Sequence, residues 1–148
     1  MHYKINNAYI IKFYGISQDP ETKNYVMVLA YAKNGSLRNY LDTSFDKLSW
    51  NDKFENLCYI ANGLGRIHEK ELIHRDLHSD NILRFSNNII FNMGGACITD
   101  VGLCKPANYD KLDNTNSNNI YGVLPYIAPE ILRGQNYTKK LLIFIVLV

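Results

Sequence analysis

The 148-residue chain has little charge imbalance, few cysteines, no signal-like N-terminus and no glycine-rich G-x-G-x-x-G pattern. Sixteen basic against fourteen acidic side chains leave a net charge of only +2. That balance gives no footprint for nucleic acid or an anionic membrane. Three cysteines, Cys58, Cys97 and Cys104, make an odd number without metal-ligand spacing. A disulfide framework and a zinc site are therefore not expected, and reduced thiols in a cytoplasmic protein are. Met1-His2-Tyr3-Lys4 lacks the apolar core of a signal peptide. Leu141 to Val148 is strongly apolar, but as a helix it reaches about 12 Å against a bilayer core of about 30 Å. No membrane partner is expected, and residues 141–148 read as a short tail that packs on the rest or promotes aggregation. The 47% hydrophobic content suits one globular domain with a real core rather than general disorder.

Aromatic and β-branched weight predicts a strand over Tyr9 to Tyr14, broken at Gly15. Asp19-Pro20-Glu21-Thr22 is a turn cluster, and Tyr25 to Ala30 is a second strand, so a hairpin is expected. Ser36 to Leu41 is a short helix. Ser49 caps a longer one, with Asp52 as a short capping-box acid. Phe54, Leu57, Cys58, Ala61, Leu64 and His68 recur at helical spacing and define its expected core face, Cys58 included. Gly63 and Gly65 weaken that helix by roughly 1 kcal/mol each relative to alanine. Ile82-Leu83 and a later apolar stretch flank Asn87-Asn88, a second hairpin pattern, and Gly94-Gly95 reads as a turn. Tyr109 to Tyr121 is polar and asparagine-rich and reads as a mobile loop.

The chemistry concentrates in His74-Arg75-Asp76-Leu77-His78-Ser79-Asp80-Asn81. An aspartate directly after His-Arg precedes an asparagine by five residues. Asp100-Val101-Gly102 follows, then Ala128-Pro129-Glu130. Three motifs in this order resemble H-R-D-L-x-x-x-N, D-F-G and A-P-E of a eukaryotic protein kinase domain. The resemblance is to the tyrosine-kinase-like group and covers about Tyr9 to Thr138.

The resemblance implies an α+β fold, a partial two-lobe kinase architecture. Residues 1–35 would be small-lobe strands and hinge, and residues 36–140 part of the helical large lobe. It implies ATP and Mg²⁺ as cofactors and a protein substrate, with Ser/Thr a better guess than Tyr. Asp76 would orient and deprotonate the substrate hydroxyl, while Asn81 and Asp100 would hold the metal. The Ala30 carbonyl and Ala32 amide would face adenine, with Leu29 as gatekeeper and Leu83 beneath the ring. Arg75 would pair either with an activation-loop phosphate on Thr115, Ser117 or Tyr121, or with a structural carboxylate. His74 reads as a packed core histidine. His78 stands where Ser/Thr kinases often place lysine, and reads equally as a solvent-facing loop residue. Val101 replaces the D-F-G phenylalanine with a smaller apolar group.

The extra length between Asn81 and Asp100 is placed near Phe91 to Ala96. The 148 residues hold no V-A-I-K lysine and no partner glutamate helix, and neither Lys4 nor Lys12 stands in for that lysine. Two function classes follow: an ATP-dependent phosphotransferase, weakly active or inactive in this form, or a non-catalytic kinase-like binding module.

Overall fold

The computed structural model describes residues 7–85, 95–106, 120 and 122–135. Strands β1 (Phe13–Gln18) and β2 (Tyr25–Leu29) form an antiparallel hairpin. Asp19 builds its turn, because Oδ1 accepts the amides of Glu21 and Thr22 at 2.8 and 3.0 Å. The first strand begins later than the sequence suggests and passes through Gly15. The register slips between Phe13 and Gly15, and Gly15 has a φ of +152°. That glycine is a bulge rather than a break, a backbone shape that costs a residue without Cβ least.

Helix α1 (Leu37–Ser44) runs three residues beyond Leu41 and starts at Ser36, whose Oγ accepts the Asn39 amide at 3.2 Å. Helix α2 (Trp50–Glu69) carries the expected capping box: the Asp52 amide donates to Ser49 Oγ at 3.2 Å, and the Ser49 amide to Asp52 Oδ2 at 3.0 Å. Short strand β3 (Leu72–Ile73) follows, then β4 (Ile82–Arg84), β5 (Ala96–Ile98) and β6 (Lys105–Pro106). β3 pairs with β6, and β4 with β5, all antiparallel. The four-residue helix α3 (Pro129–Leu132) closes at Gly134, as expected; its amide reaches the Ile131 carbonyl at 2.9 Å.

Residues 9–11 do not join β1. They lie parallel to β5: the Ile11 amide donates to the Ile98 carbonyl and the Ile98 amide to the Tyr9 carbonyl, each at 2.9 Å. On the far side of β4, Ser36 bridges Leu83. Alternation along this ribbon sends neighbouring side chains to opposite faces. Ile10, Ile82 and Ile98 enter the main core with Leu64 and Ile67 of α2. Ile11 and Cys97 turn the other way, into a small cluster with Leu29, Ala30, Leu83 and Phe85.

The buried face of α2 is Ile60, Gly63, Leu64 and Ile67, not the stripe centred on Cys58. Phe54, Cys58 and Ala61 are exposed. Two apolar stripes overlap on this helix, and β3 and β5 pack against only one of them. Cys58 is therefore a surface thiol. Burial pushes the Cys97 and Cys104 thiols up to about 12, with the Asp100 carboxylate adding to the effect on Cys104. A thiol held so high carries little thiolate and is inert at neutral pH.

Gly63 is more than a weak helix former. A Cβ there would lie 2.9 Å from Ile98 Cδ1 and 3.0 Å from the Tyr9 carbonyl oxygen, whereas one on Gly65 would meet open space. Gly63→Ala is expected to lose about 1–3 kcal/mol through overpacking. Gly65→Ala is expected to gain up to about 1 kcal/mol through helix propensity. Urea unfolding of both variants checks this, and equal shifts of one sign would contradict it.

Ala96 belongs to β5 and is buried, so the extra length before Asp100 ends earlier than expected. Gly95 sits in a bend with a φ of +49°. Asn87-Asn88, residues 91–94, Thr115, Ser117, Tyr121 and the tail 141–148 lie outside the described residues. Among the described residues, no helix is long and apolar enough to cross a membrane.

Candidate active site

The loop from His74 to Asn81 is held from beneath by His74, which is fully buried. Its Nε2 lies 2.9 Å from the Thr99 carbonyl, and the Asp76 amide donates to its Nδ1 at 3.3 Å. These partners assign the hydrogen to Nε2 and leave Nδ1 as acceptor. Burial holds this imidazole below its ordinary pKa, so the ring is neutral. One side chain thus ties the backbone at Asp76 to the residue before Asp100. The packed-histidine expectation fits this placement.

Asn81 makes the second tie. Its Nδ2 donates to the Asp76 carbonyl at 2.9 Å and to Asp76 Oδ2 at 3.3 Å. Because the amide nitrogen faces Asp76, the carboxamide oxygen is turned to another direction, as a metal ligand would require. The Asn81 carbonyl accepts the Thr99 amide at 2.9 Å. Asp100 follows, exposed, with φ +50° and ψ +54°. Next to it Gly102 leaves room: a Cβ there would lie 3.1 Å from Asp100 Oδ1. Val101 is completely buried in the main core, so the smaller residue still anchors the turn that carries Asp100.

Arg75 is 5% exposed with a φ of +71°. His78 is not solvent-facing: its side chain is 13% exposed and lies between Asp76 and Asp80. Gly122, which opens the stretch to Glu130 that resembles the substrate-docking end of a kinase activation segment, packs on this loop. A Cβ at Gly122 would sit 3.0 Å from the Arg75 carbonyl oxygen, and its φ is +114°. Tyr126 of the same stretch touches the loop too; its hydroxyl is 3.3 Å from Ser79 Oγ.

Leu29, Ala30 and Leu83, expected beside adenine, meet in the cluster around Ile11 and Cys97. The Ala30 amide donates to the Lys12 carbonyl at 2.9 Å, and the Ala32 carbonyl accepts the Gly35 amide at 3.0 Å. These bonds use the opposite backbone groups from the pair expected to face adenine. By donor chemistry the residues suit a nucleotide and a divalent cation: an apolar cluster, the Ala30 carbonyl and Ala32 amide, the Asp100 carboxylate and the Asn81 amide oxygen. Among the described residues, no cluster of three or more His, Cys, Asp or Glu side chains could hold a metal by itself. A cation shared with a ligand's phosphates needs no such cluster.

A strand-linked loop that presents an aspartate and an asparagine beside a second aspartate defines the class. The chain belongs to the protein tyrosine and serine/threonine kinase family, whose pattern it matches over residues 1–144. It is 29% identical over 138 residues to the probable serine/threonine-protein kinase gdt8 of Dictyostelium discoideum, covering 93% of this chain and 10% of that protein. It is 32% identical over 143 residues to the serine/threonine-protein kinase-like protein CCR4 of Arabidopsis thaliana, covering 93% and 18%. With the tyrosine-protein kinase SPK-1 of Girardia tigrina it shares 26% identity over 141 residues, covering 95% and 27%. The chain thus spans well under a third of the length of these relatives.

Proposed function

We propose that this chain carries the hydroxyl-activating and metal-holding part of an ATP-dependent protein phosphotransferase. One observation carries the reading: Asn81 Nδ2 binds the Asp76 carbonyl while the Asn81 carbonyl binds Thr99, which precedes Asp100. That arrangement gathers a base and two metal-type oxygen donors around one short loop. Bound Mg²⁺–ATP supplies the phosphoryl group and the charge that neutralises it. The chain's own residues do the rest. Asp76 accepts the proton of the substrate hydroxyl, Asn81 and Asp100 hold the cation, and Leu29, Leu83 and the Ala30 and Ala32 backbone receive the adenine. His74 holds the loop at the height of Asp100.

Serine or threonine of a protein is the proposed acceptor, within the tyrosine-kinase-like group, and the cytoplasm is the proposed compartment. An odd number of cysteines, all three of them free thiols, supports a reducing location. The division into residues 1–35, 36–140 and 141–148 is part of the same proposal. The test is a chimera: residues 1–140 joined to flanking segments of a related kinase that supply the glycine-rich loop, the V-A-I-K lysine and the remaining helices. Label from ATP appearing on serine or threonine of a protein acceptor supports the reading. No label, or label on tyrosine alone, contradicts it.

A further inference from the structure

Ser79 and Tyr126 join parts of the chain that lie 47 residues apart. Ser79 opens the 3₁₀ turn Ser79–Asn81, so it stands between Asp76 and Asn81. It is 6% exposed, and among the described residues its hydroxyl has one hydrogen-bond partner, the Tyr126 hydroxyl at 3.3 Å. Tyr126 ends the 3₁₀ turn Leu124–Tyr126, where its own amide donates to the Val123 carbonyl at 2.8 Å. Its ring also packs on His78 at 5.9 Å between centroids. The buried Ala128 and Ile131 seat the chain just beyond it. Before it, the backbone comes so close that a Cβ on Gly122 would lie 3.0 Å from the Arg75 carbonyl oxygen and 3.7 Å from Asp76 Oδ1. Residues 122–127 thus touch the His74–Asn81 loop at both ends, at Arg75 and at Ser79.

The two contacts differ in kind. Gly122 permits a close approach, whereas the hydroxyl pair fixes one, with either oxygen able to donate. At 3.3 Å the pair is longer than the common hydroxyl bond of about 2.5–3.0 Å. Its weight therefore lies at the low end for one hydrogen bond, about two- to fivefold in an equilibrium. Removing one partner is costlier than removing both, because a buried hydroxyl left alone keeps its desolvation penalty. We propose that Tyr126 is a positioning residue: its hydroxyl, through Ser79, holds residues 122–127 at a fixed height over Asp76. An acceptor hydroxyl delivered along that segment then meets the carboxylate. This rests on Asp76 being the base and on residues 122–130 receiving the acceptor. In return, Tyr126 steadies the turn that carries Asn81.

Two hydroxyl deletions test it. Tyr126→Phe keeps the ring on His78, and Ser79→Ala keeps the turn. In ¹⁵N spectra of the 148-residue protein, Tyr126→Phe should shift the amide signals of Ser79, Asp80 and Asn81, and Ser79→Ala those of Tyr126 and Ile127. Urea unfolding should find Tyr126→Phe less stable than wild type, and the double variant recovering part of that loss. Signals that stay in place across the contact, or losses of stability that simply add, would overturn the tie. No nucleotide is present, so these results stand apart from the kinase reading. In the chimera, both single variants and the double should lower kcat by the same factor, about two- to fivefold, with KM for ATP unchanged. A kcat that stays at the wild-type value, or that recovers with stability in the double variant, would reduce the pair to a structural contact and overturn the positioning role. A chimera without any activity counts against the kinase reading, while the spectra still decide whether the tie exists.

Discussion

In the chimera that supplies the missing kinase segments, Asp76→Asn is expected to lower phosphoryl transfer by about 10²–10⁴-fold, the usual weight of a positioned general base. Asparagine keeps the shape of the side chain but cannot take the hydroxyl proton. The fold should survive, because the Asn81 Nδ2 bond to the Asp76 carbonyl is to the backbone. The 148-residue polypeptide alone is expected to transfer no phosphate above background. On the proposed reading it contains a base and metal-holding oxygens, but the 148 residues hold no glycine-rich loop and no V-A-I-K lysine. Removing one preorganised charge-stabilising donor commonly costs about 10²–10³ in rate. Lacking a lysine and a phosphate lid together should cost at least that, with further loss from a loosely held loop. Radiolabelled ATP with a generic protein acceptor checks both parts. Transfer by the 148-residue polypeptide that Asp76→Asn abolishes would show that the lysine and the lid matter far less than argued.

The second large effect concerns stability. His74→Phe keeps a planar ring in the core but removes both hydrogen bonds. The half-buried Thr99 carbonyl and Asp76 amide would then lose these partners, at up to about 1–3 kcal/mol for each such group. A loss of roughly 2–4 kcal/mol is expected, from urea unfolding at neutral pH. The wild type should also lose stability in acid through this residue. The buried ring holds its proton more weakly than the unfolded chain does, whose value is near 6.5. As pH falls below that value, the unfolded state takes up the proton first. The His74 contribution is thus complete above about 6.5 and declines below it, by at most about 1.4 kcal/mol per pH unit, until the folded ring protonates. His74→Phe should remove that part of the pH dependence. A variant as stable as wild type, or one with the same acid slope, would contradict the role given to this ring.

Much of the site was legible because its chemistry is local. Asp76 and Asn81 must reach one another across a short loop, so their spacing in sequence survives in space. The capping box at Ser49 and Asp52 was legible for the same reason. The misread features depend on distant partners. Whether Phe54 or Ile60 faces inward is decided by β3 and, above all, by β5, which lies far along the chain. Gly15 looks like a breaker until β2 lies beside it and absorbs the bulge. Gly63 looks like a weak helix former until Ile98 and the Tyr9 carbonyl press on it. Thr99 acts through its carbonyl and amide, so no side-chain pattern marks it. His78 offered no sequence signal of orientation, because Asp76 and Asp80 stand two residues to either side of it and that spacing does not say which way the ring turns.

The central claim is that Asp76, Asn81, Asp100 and the hinge cluster form one nucleotide and metal site. Paramagnetic broadening by Mn²⁺–ATP tests it most directly, since it detects even weak binding and reports where the metal sits. The account predicts selective loss of the amide signals of Asn81, Thr99 and Asp100, weaker effects at Leu83 and Ala32, and none at the hairpin tip around Asp19. In Asn81→Ala combined with Asp100→Ala the selective loss should vanish. Uniform broadening, broadening centred elsewhere, or broadening that persists in the double variant would contradict the account.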